Sequence, residues 1–528
     1  MADKAAFQVI VLGPTGGPRE DSLTGLLVRS TSTDWSTDSV IAVDAGTLVS
    51  GIIHTLEQYN AELRDGTYIM DEGPFAGLRM PYKSAQANAA HIFRDIIGAV
   101  LITHAHLDHL SGLAINTPML EAGNGPKPLA ALPSIVAAIK NHMFNDVIWP
   151  NLSDEDGGAG LLTYQRLVEG GNPRFGRGDA KGYVRACDGL LARCLGVSHG
   201  RCRQRFHPET GTHHRVGSSV FAADPLMLPS RAISVDHSTD AGIYSPARSP
   251  RMLSANSKEH IWATVESSAF FIRDHHTGNE IIIFGDVEPD CVSLDPRNKR
   301  VWEAAAPKIA TGKLRAIFIE CSYDDSVEDA TLYGHLCPRH LIAELTLLAR
   351  KVMEARHPSM AISSIGKRKH SDSNTYGGNG GQVSPKSKRP QSFSVAAGKR
   401  AEPSLTGMAS ATVDMRPRFY STTEGLVEIP ELVHDEPTPS YYEPDEVSDT
   451  RHSADPAPQP TSPGEAQTGD SGQLPLSGLT IYIIHIKEDL TDDIPPRERI
   501  LQQLRSRGEA ARLGCEFYAP HRGEGIRI

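Results

Sequence analysis

Apolar positions in the first hundred residues come in short runs separated by turn residues. FQVIVLG (7–13) is followed by PTGGPRED, LTGLLVRS (23–30) by a polar loop, and then SVIAVDAGT (39–47). Val, Ile and Leu runs bounded by Gly, Pro and Asp read as strands. A helix is expected from about Val49 to Tyr59 and another from about Ala85 to Ile97. IGAVLITH (97–104) is a fully apolar strand that ends at a histidine cluster, and ALPSIVAAIKNHMFNDVI (131–148) reads as a further helix.

Periodicity weakens between about 151 and 250, where DEDGGAG, RFGRGD and SPARSPR alternate with polar residues; irregular insertions around a partly ordered stretch near 182–222 are expected. Order returns with SSAFFIRD and EIIIFGD, two strands joined by the turn-type sequence HHTGN. KLRAIFIECSYDD (313–325) reads as another buried strand and loop, and PRHLIAELTLLARKVMEA (338–355) has the i, i+3, i+4 apolar spacing of an amphipathic helix. From 358 to 476 the chain turns polar, with GKRKHSDSNTYGGNGGQVSPKSKRPQ and PAPQPTSPGEAQTGDSGQ. Such stretches bury too little apolar area to offset chain entropy, so disorder is expected there. GLTIYIIHIKE (478–488) then reads as a strand, followed by a short helix near 496–512 and CEFYAP. A strand after so long a polar tract implies that 358–476 loops out of one domain, which residues 477–528 rejoin.

Composition agrees with that division. The hydrophobic share of the 528 residues is 39%, with 47 Gly and 36 Pro, below the roughly 45–50% of a typical globular domain. The dilution is concentrated in the polar tract. A net charge of −11 gives no positive field for nucleic acid or an anionic membrane, and neither is expected as a partner. Seven cysteines without paired spacing suit a reducing compartment better than a disulfide framework. The N-terminus lacks the apolar core of a secretory signal, and no apolar run reaches the roughly 18 residues of a membrane span. A soluble, cytoplasmic protein is expected. The basic patches KRK (367–369) and KSKR (386–389) read as solvated linker charge, with nuclear access as the alternative.

The densest chemistry is THAHLDH (103–109). Alternation along an extended segment would point His104, His106 and Asp108 one way, with His109 swinging back at the turn. Imidazole and carboxylate donors suit zinc, manganese or iron, and the mixture can serve two cations. A solvated histidine-rich loop is the alternative. GPTGG (13–17) lacks the Lys-Ser/Thr of a Walker loop and reads as a tight turn.

HxHxDH after a buried strand resembles the metallo-β-lactamase superfamily. The longer HAHLDHLSGLAINTP (104–118) resembles the class II cyclic-nucleotide phosphodiesterases, low-affinity enzymes of fungi and some other organisms. NHMFNDVIWPNL (141–152), SSAFFIRD with FGDVEPD (267–290) and GHLCPRHLIAEL (334–345) extend the likeness. The chain departs at Thr117-Pro118, where Ser-Pro is expected, and at Ala114, where a larger aliphatic is. The fold class implied is α/β, a metallo-β-lactamase-like four-layer αββα sandwich with large insertions. Residues 1–357 and 477–528 would form the metallo-hydrolase core, with 358–476 as the insertion.

The resemblance implies two divalent metal ions, Zn2+ foremost with Mn2+ or Fe2+ as alternatives. His104 and His106 would hold the first with His199 of VSHG, for which a surface histidine in an Arg-rich loop, near His207, His213 and His214, is the alternative. Asp108 and His109 would hold the second, Asp286 of IIIFGD would bridge both, and His485 of IYIIHIKE would supply the last donor. Asp44 of VDAG would orient the metal-binding loop, or serve a turn. Two cations would lower the pKa of a bridging water and clamp phosphate oxygens, so that hydroxide attacks a 3′,5′-cyclic phosphate in line. His335 of YGHLCP would contact the phosphate or protonate the leaving 3′-oxygen, a role Asp108 could fill instead; helix capping is the alternative for His335. The implied activity is hydrolysis of cAMP, with cGMP as a second substrate, to 5′-monophosphates, ending cAMP signalling. A tRNA 3′-end processing enzyme and a non-catalytic binding module remain the competing readings, and a homodimer stays open.

Overall fold

In the strand Ala263–Asp274, Phe270 and Ile272 join one hydrophobic cluster while Phe271 between them joins another. Glu280–Phe284 and Leu314–Glu320 divide the same way: Ile281, Ile283, Ala316 and Phe318 face the first cluster, whereas Ile282, Phe284, Ile317 and Ile319 face the second. Successive side chains of a strand point to opposite faces. A sheet that is apolar on both faces must therefore be covered on both. The computed structural model, which describes residues 5–123, 125–216, 262–357 and 473–528, shows how.

Two seven-stranded sheets pack face to face. The first contains β1 (Phe7–Gly13), β2 (Gly25–Ser30), β3 (Val40–Val43), β7 (Ile97–Leu101), β8 (Lys127–Ala131), β9 (Leu162–Arg166) and β19 (Gly525–Arg527), in the order β19-β1-β2-β3-β7-β8-β9. Between β3 and β7 a small sheet is formed by β4 (Ala61–Arg64), β5 (Thr67–Met70) and β6 (Arg79–Met80). The second large sheet runs β10-β11-β14-β15-β16-β17-β18, with β10 (Val184–Cys187), β11 (Leu190–Cys202), β14 (Ala263–Asp274), β15 (Glu280–Phe284), β16 (Leu314–Glu320), β17 (Thr480–Ile484) and β18 (Glu516–Tyr518). A hairpin of β12 (Gln204–His207) and β13 (Thr212–Arg215) stands apart.

Helices cover the outer faces. Ile52 and Leu56 of α1 (Val49–Glu57) and Ala89 of α2 (Ala85–His91) pack into the cluster of the first sheet, as do buried residues of α3 (Leu107–Asn116) and α4 (Pro133–His142). Trp302, Leu345 and Leu504, from α5 (Asn298–Ala310), α6 (Pro338–Arg356) and α7 (Pro496–Ala510), pack into the cluster of the second. The layers are helix, sheet, sheet, helix, the αββα sandwich expected. Among the described residues no helix is long and apolar enough to cross a membrane.

The C-terminal segment joins both sheets. β17 lies parallel to β16, with Glu320 opposite Ile484, and β19 pairs antiparallel with β1. Leu476 and Leu479 are buried in the second cluster.

Two local expectations need correction. The helix drawn over 131–148 is shorter: Lys127–Ala131 is a strand, and the helix starts at Pro133 and stops at His142. Pro133 suits the first helical turn, where its missing N–H is not needed. The irregular region drawn from 151 contains β9 and the thirteen-residue β11, a central strand of the second sheet. Its arginines and glycines hide the alternation, because Arg193 lies over the rings of Tyr183 and Phe271 instead of in bulk solvent. Of the polar tract expected over 358–476, residues 358–472 lie outside the described residues, while Leu476 already packs into the second cluster.

Candidate metal centre and active site

The second sheet supplies three parallel strands side by side, β15, β16 and β17. Just beyond or at their carboxyl ends stand Asp286, Glu320 and His485. The first sheet does the same with the parallel pair β3 and β7, followed by Asp44 and by Thr103 and His104. Open α/β sheets place their chemistry at such strand ends, where the backbone leaves the ladder and side chains can converge. His199 reaches the same place from within β11, a buried strand residue and not the surface loop histidine of the alternative reading.

The segment 103–109 is also built differently from the extended run expected. β7 ends at Leu101, and α3 begins at Leu107 with His106 as its N-cap. Asp108 and His109 therefore sit in the first helical turn, where the helix dipole favours a carboxylate. The turn is fastened from below by Asp44. Its carboxylate accepts from the Thr103 N–H and hydroxyl, both at 2.8 Å, and from His109 Nδ1 at 2.8 Å. Asp44 itself is in the left-handed region at φ 56°.

Donor atoms from His104, His106, His199 and Asp286 lie within 4.8 Å of one another, and so do those from Asp108, His109, His485 and Asp286. Asp286 belongs to both sets. Its Oδ2 faces His104 Nε2 at 3.7 Å and His199 Nε2 at 3.6 Å, while its Oδ1 lies 3.2 Å from both His109 Nε2 and His485 Nε2. All seven residues expected as metal donors are thus brought together. His207, His213 and His214 lie on the β12–β13 hairpin and join neither set.

The residues present fit a pair of cations. His104 Nε2, His109 Nε2 and Asp286 Oδ1 are buried without a hydrogen-bond partner. Each such atom costs about 1–3 kcal/mol. Three of them converging on one space is the arrangement a cation relieves, and imidazole with carboxylate is a donor set for zinc, manganese or iron. The outer nitrogens are anchored as ligating histidines require. His199 Nδ1 donates to the Gly334 carbonyl at 2.8 Å, and His485 Nδ1 lies 3.1 Å from the Ser322 oxygen.

Charge in the nest is concentrated on Asp286. Burial alone would raise its carboxyl, but the imidazoles of His485, His109 and His104 hold it well below the usual carboxylate range. Burial pushes His104 well down and His199 to about 4, leaving both neutral with a free lone pair. Burial would also lower His335, yet the Glu320 carboxylate holds it above its ordinary value.

His335 is buried beside the nest, its Nδ1 donating to Glu320 at 3.0 and 3.1 Å and lying 3.8 Å from Asp286 Oδ2. Glu320 also accepts from the Val287 N–H at 2.8 Å and the Ser322 hydroxyl at 2.6 Å. Sequence reasoning missed Glu320, although a lone Glu closing the apolar run LRAIFI was a signal. It also missed Lys487, whose Nζ donates to the Gly16 carbonyl at 2.6 Å and stands 3.4 Å from Asp108 Oδ2. The GPTGG turn presses on the site: a Cβ at Gly16 would come within 2.4 Å of the His485 ring.

Comparison with known proteins bears on this geometry. Residues 6–165 and 233–365, more than half of the chain, match the family described as class-II cAMP phosphodiesterases. The chain is 26% identical to a 3′,5′-cyclic-nucleotide phosphodiesterase of Schizosaccharomyces pombe over 343 residues, covering 65% of this chain and 75% of the relative. It is 27% identical to a probable 3′,5′-cyclic-nucleotide phosphodiesterase of Yersinia pestis, covering 65% and 73%. The crystal structure of unliganded yeast PDE1 shares the fold, with a TM-score of 0.55 at 19% identity, over 99% of this chain and all of that one.

Proposed function

The chain belongs to the class-II cAMP phosphodiesterase family, and from that premise we propose that it hydrolyses 3′,5′-cyclic nucleotides, cAMP foremost, to 5′-monophosphates and so ends a cAMP signal. The observation that carries this reading is Asp286 presenting one oxygen to each of two histidine sets. Two divalent cations, Zn2+ foremost, held by His104, His106, His199 and Asp286 and by Asp108, His109, His485 and Asp286, would supply Lewis acidity and lower the pKa of water.

The protein's own groups divide the remaining work. Hydrolysis breaks the bond between phosphorus and O3′, and the departing oxygen needs a proton. Glu320 fixes the His335 tautomer, since an ionised carboxylate can only accept and Nδ1 must carry the proton. Glu320 also raises the His335 pKa, which favours the imidazolium, so Nε2 would be the atom that protonates O3′ as general acid. Asp108 has no proton to give: burial opposes its ionisation, but His485 and His109 hold it below the usual carboxylate range. The Lys487 ammonium beside Asp108 places positive charge where phosphate oxygens gather. The cytoplasm is the compartment this reading implies, in keeping with seven unbridged cysteines.

The test is cAMP and cGMP hydrolysis by purified protein, with metal analysis, beside His106→Ala. Wild type is expected to carry two metals and cleave cAMP, and the variant to lose both metal and turnover. Full activity in the variant would sink the site, and a metal-loaded wild type without hydrolysis would sink the activity.

A further inference from the structure

Next to His335 is a cleft of about 680 Å³, formed where the end of β11 meets the loop after β15 and the loop before α6. Its lining includes Trp262, Tyr333, Gly200, Arg201 and Glu288, together with His335 itself. Tyr333 is 73% exposed, an unusual position for so large a ring in a loop whose next residues are buried against the active site. Trp262, 38% exposed, is steadied by the Arg203 guanidinium at 5.2 Å from its ring.

The loop is not slack. Tyr333 and Gly334 are both left-handed, at φ 51° and 87°. A left-handed tyrosine costs about 1–2 kcal/mol. It is held there from two sides: the Gly334 carbonyl accepts from His199 Nδ1, and a Cβ at Gly334 would meet the Gly200 nitrogen at 2.4 Å. The chain therefore spends strain to present an aromatic face one residue from the Gly334 carbonyl that anchors a metal-donor histidine. Strain of this kind concentrates at functional sites. Polar groups line the same cleft. Arg201 supplies a guanidinium, and the Glu288 carboxylate, accepting from the Gly200 N–H at 3.1 Å and the Ser293 hydroxyl at 2.6 Å, supplies acceptors.

We infer that this cleft seats the purine base of the cyclic nucleotide, stacked on Tyr333 and bounded by Trp262, while the cyclic phosphate lies over the paired histidine sets. The inference rests on the proposed function, which supplies a substrate that carries a base. His335 lines the cleft and stands 3.8 Å from Asp286, so the two sites adjoin at this side chain. Aromatic stacking accepts any base, so Tyr333 contributes affinity for the nucleotide and the polar edge discriminates between bases.

Steady-state kinetics on cAMP and on methyl 4-nitrophenyl phosphate, a diester without a purine, test this with Tyr333→Ala, Trp262→Ala and Tyr333→Phe. In each alanine variant the ratio of kcat/KM for cAMP to that for the small diester is expected to fall about tenfold or more, mainly through KM. Tyr333→Phe keeps the ring and should keep the ratio. Ratios within about twofold of wild type in both alanine variants overturn the base seat. A wild type that cleaves the small diester but no cyclic nucleotide overturns the proposed function instead.

Discussion

Four of the seven clustered donors, His104, His106, Asp108 and His109, come from a single strand-to-helix turn, whereas His199 comes from β11 of the other sheet and Asp286 and His485 from just past its strands β15 and β17. The first group needs only β7, α3 and the Asp44 clasp to be in place. The second exists only once β11, β15 and β17 are aligned across a sheet whose last central strand arrives from the C-terminal segment. One half of the site is local in sequence, and the other is a property of the assembled sheet. Asp286 is where they meet.

Removing that meeting point should have the largest effect. Asp286→Ala is expected to lower kcat for cAMP by about a thousandfold or more and to reduce metal content below two per chain; metal analysis with turnover checks it, and two retained metals with normal kcat would break the comparison at its centre. Gly16→Ala strikes the remote half alone. The new Cβ would stand 2.4 Å from the His485 ring, and a displacement near 1 Å costs about a hundredfold in rate. Loss of one metal of two, with the fold intact by circular dichroism, is the expected signature. Asp44→Asn addresses the local half: it loosens the His109 clasp and should cost about 10–100-fold in metal affinity or activity, measured by chelator competition. Deletion of 365–470 should change least, with kcat within about twofold, because loop length enters closure entropy only logarithmically. Loss of soluble, metal-bound protein in that variant would mean the tract does more than connect.

The local half was legible because four donors in seven residues after an apolar strand leave little else to explain. Even so, the extended zigzag drawn for it was wrong: His106 is a helix N-cap and Asp108 and His109 are helical. Both geometries converge these side chains, so the pattern alone does not choose between them. Asp286, His199 and His485 entered through family resemblance, since a single histidine at a strand end carries no spacing of its own. Glu320 was passed over for the same reason. An acid at the end of an apolar strand looks like a solvated terminus until the sheet buries it to 1% exposure beneath His335. The long strand β11 escaped because its arginines read as solvated charge, while in the fold Arg193 stacks on rings.

Sequence by itself determined the apolar strands β1, β2, β3, β7, β14, β15, β16 and β17, the dense donor motif and the return to apolar pattern after the polar tract. Each of these is written in near neighbours and their periodicity. Which oxygen of Asp286 faces which histidine set, that Glu320 fixes the proton on His335, and that Gly16 must lack a side chain were decided by tertiary structure alone. They depend on strands distant in the chain ending side by side, and residue order does not record that distance.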